Sequence, residues 1–300
     1  MATTPLSDTA PPLVGRLERL TEIDAHEGPV YVADEDAVYF TTVRSASVAI
    51  KRLRLADGSV TVVRPDANMA NGMALDRDGR LLVCEQGTQS ERARLTLVDR
   101  ATGVAETLVD AWRGRPLNSP NDVVVARDGA VWFTDPSYGH LQGFRPEPEL
   151  GDFVYRYDRT SGDLTVVVDW FDKPNGLAFS PDERVLYVGD SGAIHGPNDY
   201  DSLRARRVVA FDVVHGELAN GRIFAHSIPG FPDGIKTDSS GRVYVSAATG
   251  VLVFAPDGAR LGEIELPGAV NFTLGGPHED LLLITADTAV WAAHLTTKGA

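Results

Sequence analysis

Six times along the chain a polar residue leads into a short apolar strand, a turn built on Asp-Gly or a variant, and a second apolar strand about ten residues after the lead. Four copies align directly: Asn71 opens NGMALDRDGRLLVCE, Asn121 opens NDVVVARDGAVWFTD, Asn175 opens NGLAFSPDERVLYVGD and Asp233 opens DGIKTDSSGRVYVSA. Weaker copies begin at Glu27 (EGPVYVADEDAVYFT) and Asn271 (NFTLGGPHEDLLLIT). Successive leads lie 44, 50, 54, 58 and 38 residues apart, intervals that suit the blades of a β-propeller. The remainder of an interval supplies an outer hairpin, as in residues 47–55 with Asp57-Gly58 and 60–63, or 94–98 with Thr102-Gly103. No stretch keeps a helical apolar period over three turns, which removes a helical solenoid, and the period is too long for an open β-solenoid. The repeats therefore predict an all-β, six-bladed β-propeller. Residues 14–300 are expected to form this single domain behind a flexible N-terminal tail, 1–13. A closed ring has no exposed sheet edge, so residues 14–23 are expected to pair with the last blade.

Charge and cysteine usage narrow the partners. The 300-residue chain carries 28 Lys+Arg against 42 Asp+Glu, a formal net charge of −14, and no basic stripe that would neutralise phosphates, so nucleic acid is not an expected partner. The lone Cys84 forms no intramolecular disulfide and no thiolate zinc site, and it fits a reducing, cytoplasmic compartment. Residues 1–13 lack the basic start and apolar core of a signal peptide, and no apolar run approaches the ~20 residues that cross a bilayer. A membrane partner is therefore not expected either. No Gly-x-Ser-x-Gly elbow or dinucleotide-binding glycine motif stands out in context, and Cys84 sits in an apolar strand without an activating neighbour, which assigns it to packing.

The innermost strand of a blade lines the central channel, so the six leads form a ring at one channel mouth: Glu27, Asn71, Asn121, Asn175, Asp233 and Asn271. All six offer oxygen, the donor set of a hard cation, and the two carboxylates balance a divalent charge. Taken singly, an Asn or Asp before Gly is a common turn residue that caps its own backbone. Six in register weigh against that reading.

The motifs His26-Glu27-Gly28-Pro29, Asn118-Ser119-Pro120-Asn121-Asp122 with Phe133-Thr134-Asp135-Pro136, PNGLAFSPDE at 174–183, and Phe231-Pro232-Asp233-Gly234 resemble the gluconolactonase branch of the senescence-marker-protein (regucalcin) and gluconolactonase family. The likeness runs from about Val14 to the C-terminus. It implies a six-bladed propeller with a divalent metal in the central channel, hydrolysis of sugar lactones, and Glu27, Asn121, Asn175 and Asp233 as metal ligands. Two stretches depart from the pattern. Tyr39-Phe40-Thr41-Thr42-Val43 stands where many relatives carry an acidic residue, and Gln86-Gly87-Thr88-Gln89 where gluconolactonases often have His-Gly-Asn. Both departures touch substrate contacts more than the metal.

The expected cofactor is one divalent cation, Ca²⁺ first, with Mg²⁺, Mn²⁺ or Zn²⁺ as alternatives. Such an ion polarises a lactone carbonyl or acidifies a bound water. Asp233, or another carboxylate at the channel behind the ligands, is the expected proton acceptor. Asn118, Asn71, Asn271 and Tyr138 are the expected substrate contacts, since a sugar lactone offers several hydroxyls to a polar rim. Inserts 136–151 and 191–207 interrupt the blade rhythm and are placed to fold over the mouth. Asp135 and Asp190, at the far end of second strands, read as turn formers. Two other functions fit the same ring: hydrolysis of phosphotriesters or fluorophosphates at the same metal, and a non-catalytic calcium-binding propeller.

Overall fold

The second strand of each repeat is an unbroken apolar run rather than an alternating one, and the computed structural model gives the reason. In Ala37–Thr41, Leu81–Glu85, Val131–Asp135 and Val243–Ala247 every residue is buried, because each sheet is covered on both faces by its neighbours. Residues 13–45, 47–196, 198–276, 278 and 280–296 are described; the expected tail, but for Leu13, lies outside them.

Six four-stranded antiparallel sheets follow one another around the channel. From the inside outward, blade 1 is Val30–Val32, Ala37–Thr41, Ile50–Arg54 and Val60–Arg64. Blade 2 is Ala70–Leu75, Leu81–Glu85, Arg94–Val98 and Ala105–Val109, and blade 3 is Val123–Val125, Val131–Asp135, Phe153–Tyr157 and Leu164–Val168. Blade 4 is Pro174–Phe179, Val185–Asp190, Arg207–Val214 and Glu217–His226, and blade 5 is Ile235–Thr237, Val243–Ala247, Gly250–Phe254 and Arg260–Glu265. Blade 6 is Asn271–Gly275, Leu281–Thr285 and Asp287–Leu295, with Val14–Ala25 as its outermost strand. That last pairing is antiparallel, with Leu17 opposite Ala293 and Glu22 opposite Ala289, so the two ends of the chain close the ring within one sheet.

The core divides into six apolar clusters, one between each pair of neighbouring blades. The pleat sorts side chains between them. Tyr39 packs toward blade 2 and Phe40 toward blade 6, while Trp132 packs toward blade 4 and Phe133 toward blade 2. Cys84, buried among Leu82, Leu95 and Phe133, is part of this packing, and burial pushes its thiol well above the usual range. Each fully buried large apolar side chain contributes about 1.5–3 kcal/mol.

Acidic residues at the ends of three second strands fix the loops that deliver the leads. Asp135 accepts the Asn118 and Ser119 N–H groups at 2.9 and 2.7 Å, and Asp190 accepts those of Asp172 and Lys173 at 3.1 and 3.0 Å. Glu85 accepts from Asn68 Nδ2 at 3.1 Å. The sequence reading of Asp135 and Asp190 as local turn formers is thereby corrected: they do bond backbone, but of the loop 16–18 positions earlier. Among the described residues no helix is long and apolar enough to cross a membrane.

Candidate functional site

The glycine after a lead residue serves the approach of the next blade. A Cβ on Gly28 would overlap the Asn71 carbonyl oxygen, one on Gly72 the Asn121 carbonyl oxygen, one on Gly176 the Asp233 carbonyl oxygen, and one on Gly234 the Asn271 carboxamide. Only Gly28 of these four needs the left-handed region, at φ 56°. In blade 3 the slot holds Asp122, whose Oδ2 accepts from Leu177 N of blade 4 at 3.4 Å and lies 3.6 Å from Lys236 Nζ. Hydroxyls of the second strands complete the ring: Thr41 Oγ1 donates to Asn71 O at 3.2 Å and Thr134 Oγ1 to Asn175 O at 2.8 Å. The leads are thus locked blade to blade, and that contact, rather than a turn, explains Asn-Gly and Asp-Gly here.

This packing delivers Glu27, Asn71, Asn121, Asn175 and Asp233 to one cavity of about 310 Å³ at the channel mouth, with Tyr138 on its wall. Both inserts reach it. The short helix Tyr138–Leu141 and Gln142 come from the first, and Ile194 and Gly196 from a small hairpin in the second. The Tyr138 hydroxyl faces Ser191 O at 3.4 Å and so joins them.

The cavity floor is an electrostatic problem. Glu27 is 3% exposed, and its Oε2 accepts the Gly28 N–H at 2.9 Å and Asn271 Nδ2 at 2.7 Å. Burial raises its pKa, with His26 pulling the other way and Asp122 adding to the rise. Burial holds Asp233 well above the usual carboxylate range, and the charge of Glu27 pushes it further. Among the described residues neither carboxylate forms an ion pair with a Lys or Arg, and the Asn121 carboxamide has no hydrogen-bond partner. A buried and a partly buried carboxylate, two carboxamides and no Lys or Arg paired with either acid make a donor set that fits a hard divalent cation. Among the described residues no three His, Cys, Asp or Glu side chains cluster around one point, so amide oxygens are needed to complete such a set.

Two expected substrate contacts are placed otherwise. Asn118 turns its Nδ2 to Asp135 O and Gly151 O, at 3.2 and 2.9 Å, and lines a separate cavity of about 80 Å³. Asp135 draws the backbone of Asn118 away from the channel. Asn271 spends its Nδ2 on Glu27 and its Oδ1 on the Phe272 N–H, so it orients a carboxylate instead of facing the cavity. Asn71 does line the cavity, while its Nδ2 holds the Asn121 carbonyl at 3.1 Å. Sequence reasoning missed the loop contributors His26, Arg44, Gln86 and Gln142. Two of them carried a signal: His26 stands beside a lead, and Gln86 opens the stretch that departs from the gluconolactonase pattern. His26 Nδ1 lies 2.6 Å from Asp287 Oδ1. Burial lowers its pKa, but Asp287 and the nearby carboxylates outweigh this and leave it raised.

Residues 25–288 match the family described as the SMP-30/Gluconolactonase/LRE-like region. The chain belongs to that family. It is 32% identical over 268 residues to a gluconolactonase of Zymomonas mobilis, covering 81% of this chain and 70% of that one. It is 30% identical over 283 residues to the lactonohydrolase oryL of Aspergillus oryzae, covering 86% of this chain and 65% of the relative. A solved gluconolactonase from Xanthomonas campestris superposes with a TM-score of 0.82 at 35% identity, over 94% of this chain and 90% of the other.

Proposed function

We propose that this protein is a metal-dependent lactonase that opens a small sugar lactone, an aldonolactone in the first instance. The observation that carries the reading is the convergence of Glu27 and Asp233 with Asn121 and Asn175 in one cavity at the channel mouth, neither acid being paired with a Lys or Arg among the described residues. Relatives named gluconolactonase and lactonohydrolase support the lactone class.

These four side chains would hold the cation, Ca²⁺ by preference for an all-oxygen set. A bound divalent ion supplies Lewis acidity to the ester carbonyl or to a water. Asp233 takes the proton of the attacking water and returns it to the ring oxygen as the C–O bond breaks, so that a hydroxy acid leaves. Asn271 keeps Glu27 in place, Asn71 holds the backbone of Asn121, and Tyr138, whose hydroxyl donates to Ser191 O, walls the side of the cavity that the sugar ring would face. The two inserts wall the mouth and exclude water around the bound ring. The reading assigns residues 14–300 to one propeller unit, and a lone buried Cys84, which has no intramolecular disulfide partner, is in keeping with a reducing cytoplasm.

A pH-indicator assay with aldonolactones, simple γ- and δ-lactones, an aryl ester and a fluorophosphate, run with and without chelator, tests the reading. Lactone turnover should vanish on chelation and return with Ca²⁺, Mg²⁺, Mn²⁺ or Zn²⁺. Asp233→Ala and Asn175→Ala should lose Ca²⁺ binding in calorimetry together with turnover, whereas Asp78→Ala, in a hairpin turn, should keep both. Turnover that survives thorough metal removal, or a fluorophosphate preferred over every lactone, overturns it.

A further inference from the structure

Arg44 sits in the loop between the second and third strands of blade 1 and lines the channel cavity against the first insert. Its guanidinium donates to Gln142 Oε1 and lies over the Phe144 ring, 4.6 Å from the centroid. Both partners are neutral. Among the described residues Arg44 forms no ion pair with a carboxylate, although the chain has 42 Asp+Glu against 28 Lys+Arg and pairs most of its arginines with acids. Half-buried and uncompensated, it is held below the usual arginine range by burial alone. His26, the other basic group of the lining, already has Asp287 at 2.6 Å.

A half-buried guanidinium without an anion in a cavity at the channel mouth is left free to pair with one that a ligand supplies. Its planar fork matches a carboxylate or phosphate, and Phe144 and Gln142 fix its orientation before the ligand arrives. Thr42, Gln86 and Gln142 line the same cavity and offer neutral hydrogen bonds beside it. With a divalent cation between Glu27 and Asp233, the floor is balanced and Arg44 leaves a surplus positive charge at the wall.

Resting on the lactonase reading above, we infer that Arg44 recognises an anionic substituent, a carboxylate or phosphate, at the end of the substrate remote from the lactone carbonyl. The preferred substrates are then acidic sugar lactones and the product a sugar diacid or a phosphorylated sugar acid. Neutral aldonolactones are poorer substrates of the same site.

The test compares glucono-δ-lactone, glucaro-1,4-lactone and 6-phosphogluconolactone with the Ca²⁺-supplemented full chain, wild type, Arg44→Ala and Arg44→Lys. The wild type should favour an acidic lactone in kcat/KM. Arg44→Ala should cut the acidic-to-neutral ratio by roughly 10- to 100-fold, mostly through KM, with Arg44→Lys between the two. The carboxylate and phosphate arms say which anion fits. Calorimetric binding of glucarate against gluconate gives a readout free of turnover. An Arg44-dependent preference for glucarate sustains the inference even if no lactone is hydrolysed, in which case only the lactonase reading falls. Hydrolysis of neutral and acidic lactones in a ratio that Arg44→Ala leaves unmoved, or equal binding of glucarate and gluconate, overturns it.

Discussion

Asn271 Nδ2 donates to Glu27 Oε2 at 2.7 Å, across 244 positions of sequence, and so ties the innermost strand of the last blade to the carboxylate that opens the first. The outer closure of the ring is a strand pairing, Val14–Ala25 on Asp287–Leu295. This inner closure is a single hydrogen bond to a buried acid. Through this one side chain the orientation of a candidate metal ligand is coupled to the closure of the ring.

Asn271→Ala should lower thermal stability and Ca²⁺ affinity together. The Glu27 oxygen keeps only the Gly28 N–H, and losing a hydrogen bond to a buried charge costs about 1.5–3 kcal/mol. Removing an orienting partner behind a ligand typically weakens metal binding about 10- to 100-fold. Calcium titration beside a melting curve checks this; an affinity within twofold of wild type would show that Glu27 is oriented by other means.

Gly176→Ala offers a sign test. At a position without positive φ, Gly→Ala usually stabilises by about 0.4–1 kcal/mol through the unfolded chain. Here the new methyl meets the Asp233 carbonyl of the next blade, so the variant should instead be destabilised by about 1–3 kcal/mol, as in an overpacked core. Urea denaturation decides, and a stabilised variant would refute the blade-to-blade role of these glycines.

The ring, the strand runs and the leads were legible because a repeat multiplies one weak signal by six. The second apolar strands of the repeats opened by Glu27, Asn71 and Asn271 are found as Ala37–Thr41, Leu81–Glu85 and Leu281–Thr285. What stayed hidden is set by contacts between repeats. Asn118 looks like a rim residue within its own motif, but its carboxamide is taken by Asp135 O and Gly151 O. Asn271 is equivalent to the other leads by register and differs only because Glu27 lies beside it. Arg44 sits in the loop between the second and third strands, whose sequence differs from blade to blade, so no periodicity points to it.

Asp135 should leave a mark on the pH dependence of stability. Burial lifts its carboxyl to about 7 despite the Asn118 and Ser119 N–H groups that favour the charged form. An unfolded aspartate titrates near 3.9, so between roughly pH 4 and 7 the folded chain holds one more proton than the unfolded one. Stability from this group is therefore greatest at the acidic end and falls as pH rises, by up to about 1.4 kcal/mol per unit. Asp135→Asn should be less stable throughout, since its amide opposes an N–H donor, but with a flatter profile over that window. Denaturation at several pH values compares the slopes; parallel profiles would mean that Asp135 does not carry the proton.

Calcium binding should release protons. In the metal-free chain burial raises both Glu27 and Asp233, and Glu27 raises Asp233 further, so part of the pair is protonated where ordinary carboxylates are ionised. A cation requires both as carboxylates, and binding must displace whatever protons they hold. Affinity should then weaken as pH falls through the range in which the pair titrates. Calorimetry in two buffers of different ionisation enthalpy reads the proton count directly: the apparent binding enthalpy should differ between them, and the difference should shrink in Asp233→Asn, which keeps an amide oxygen at the site. Equal enthalpies in both buffers for the wild type would mean that the two carboxylates are already ionised without metal.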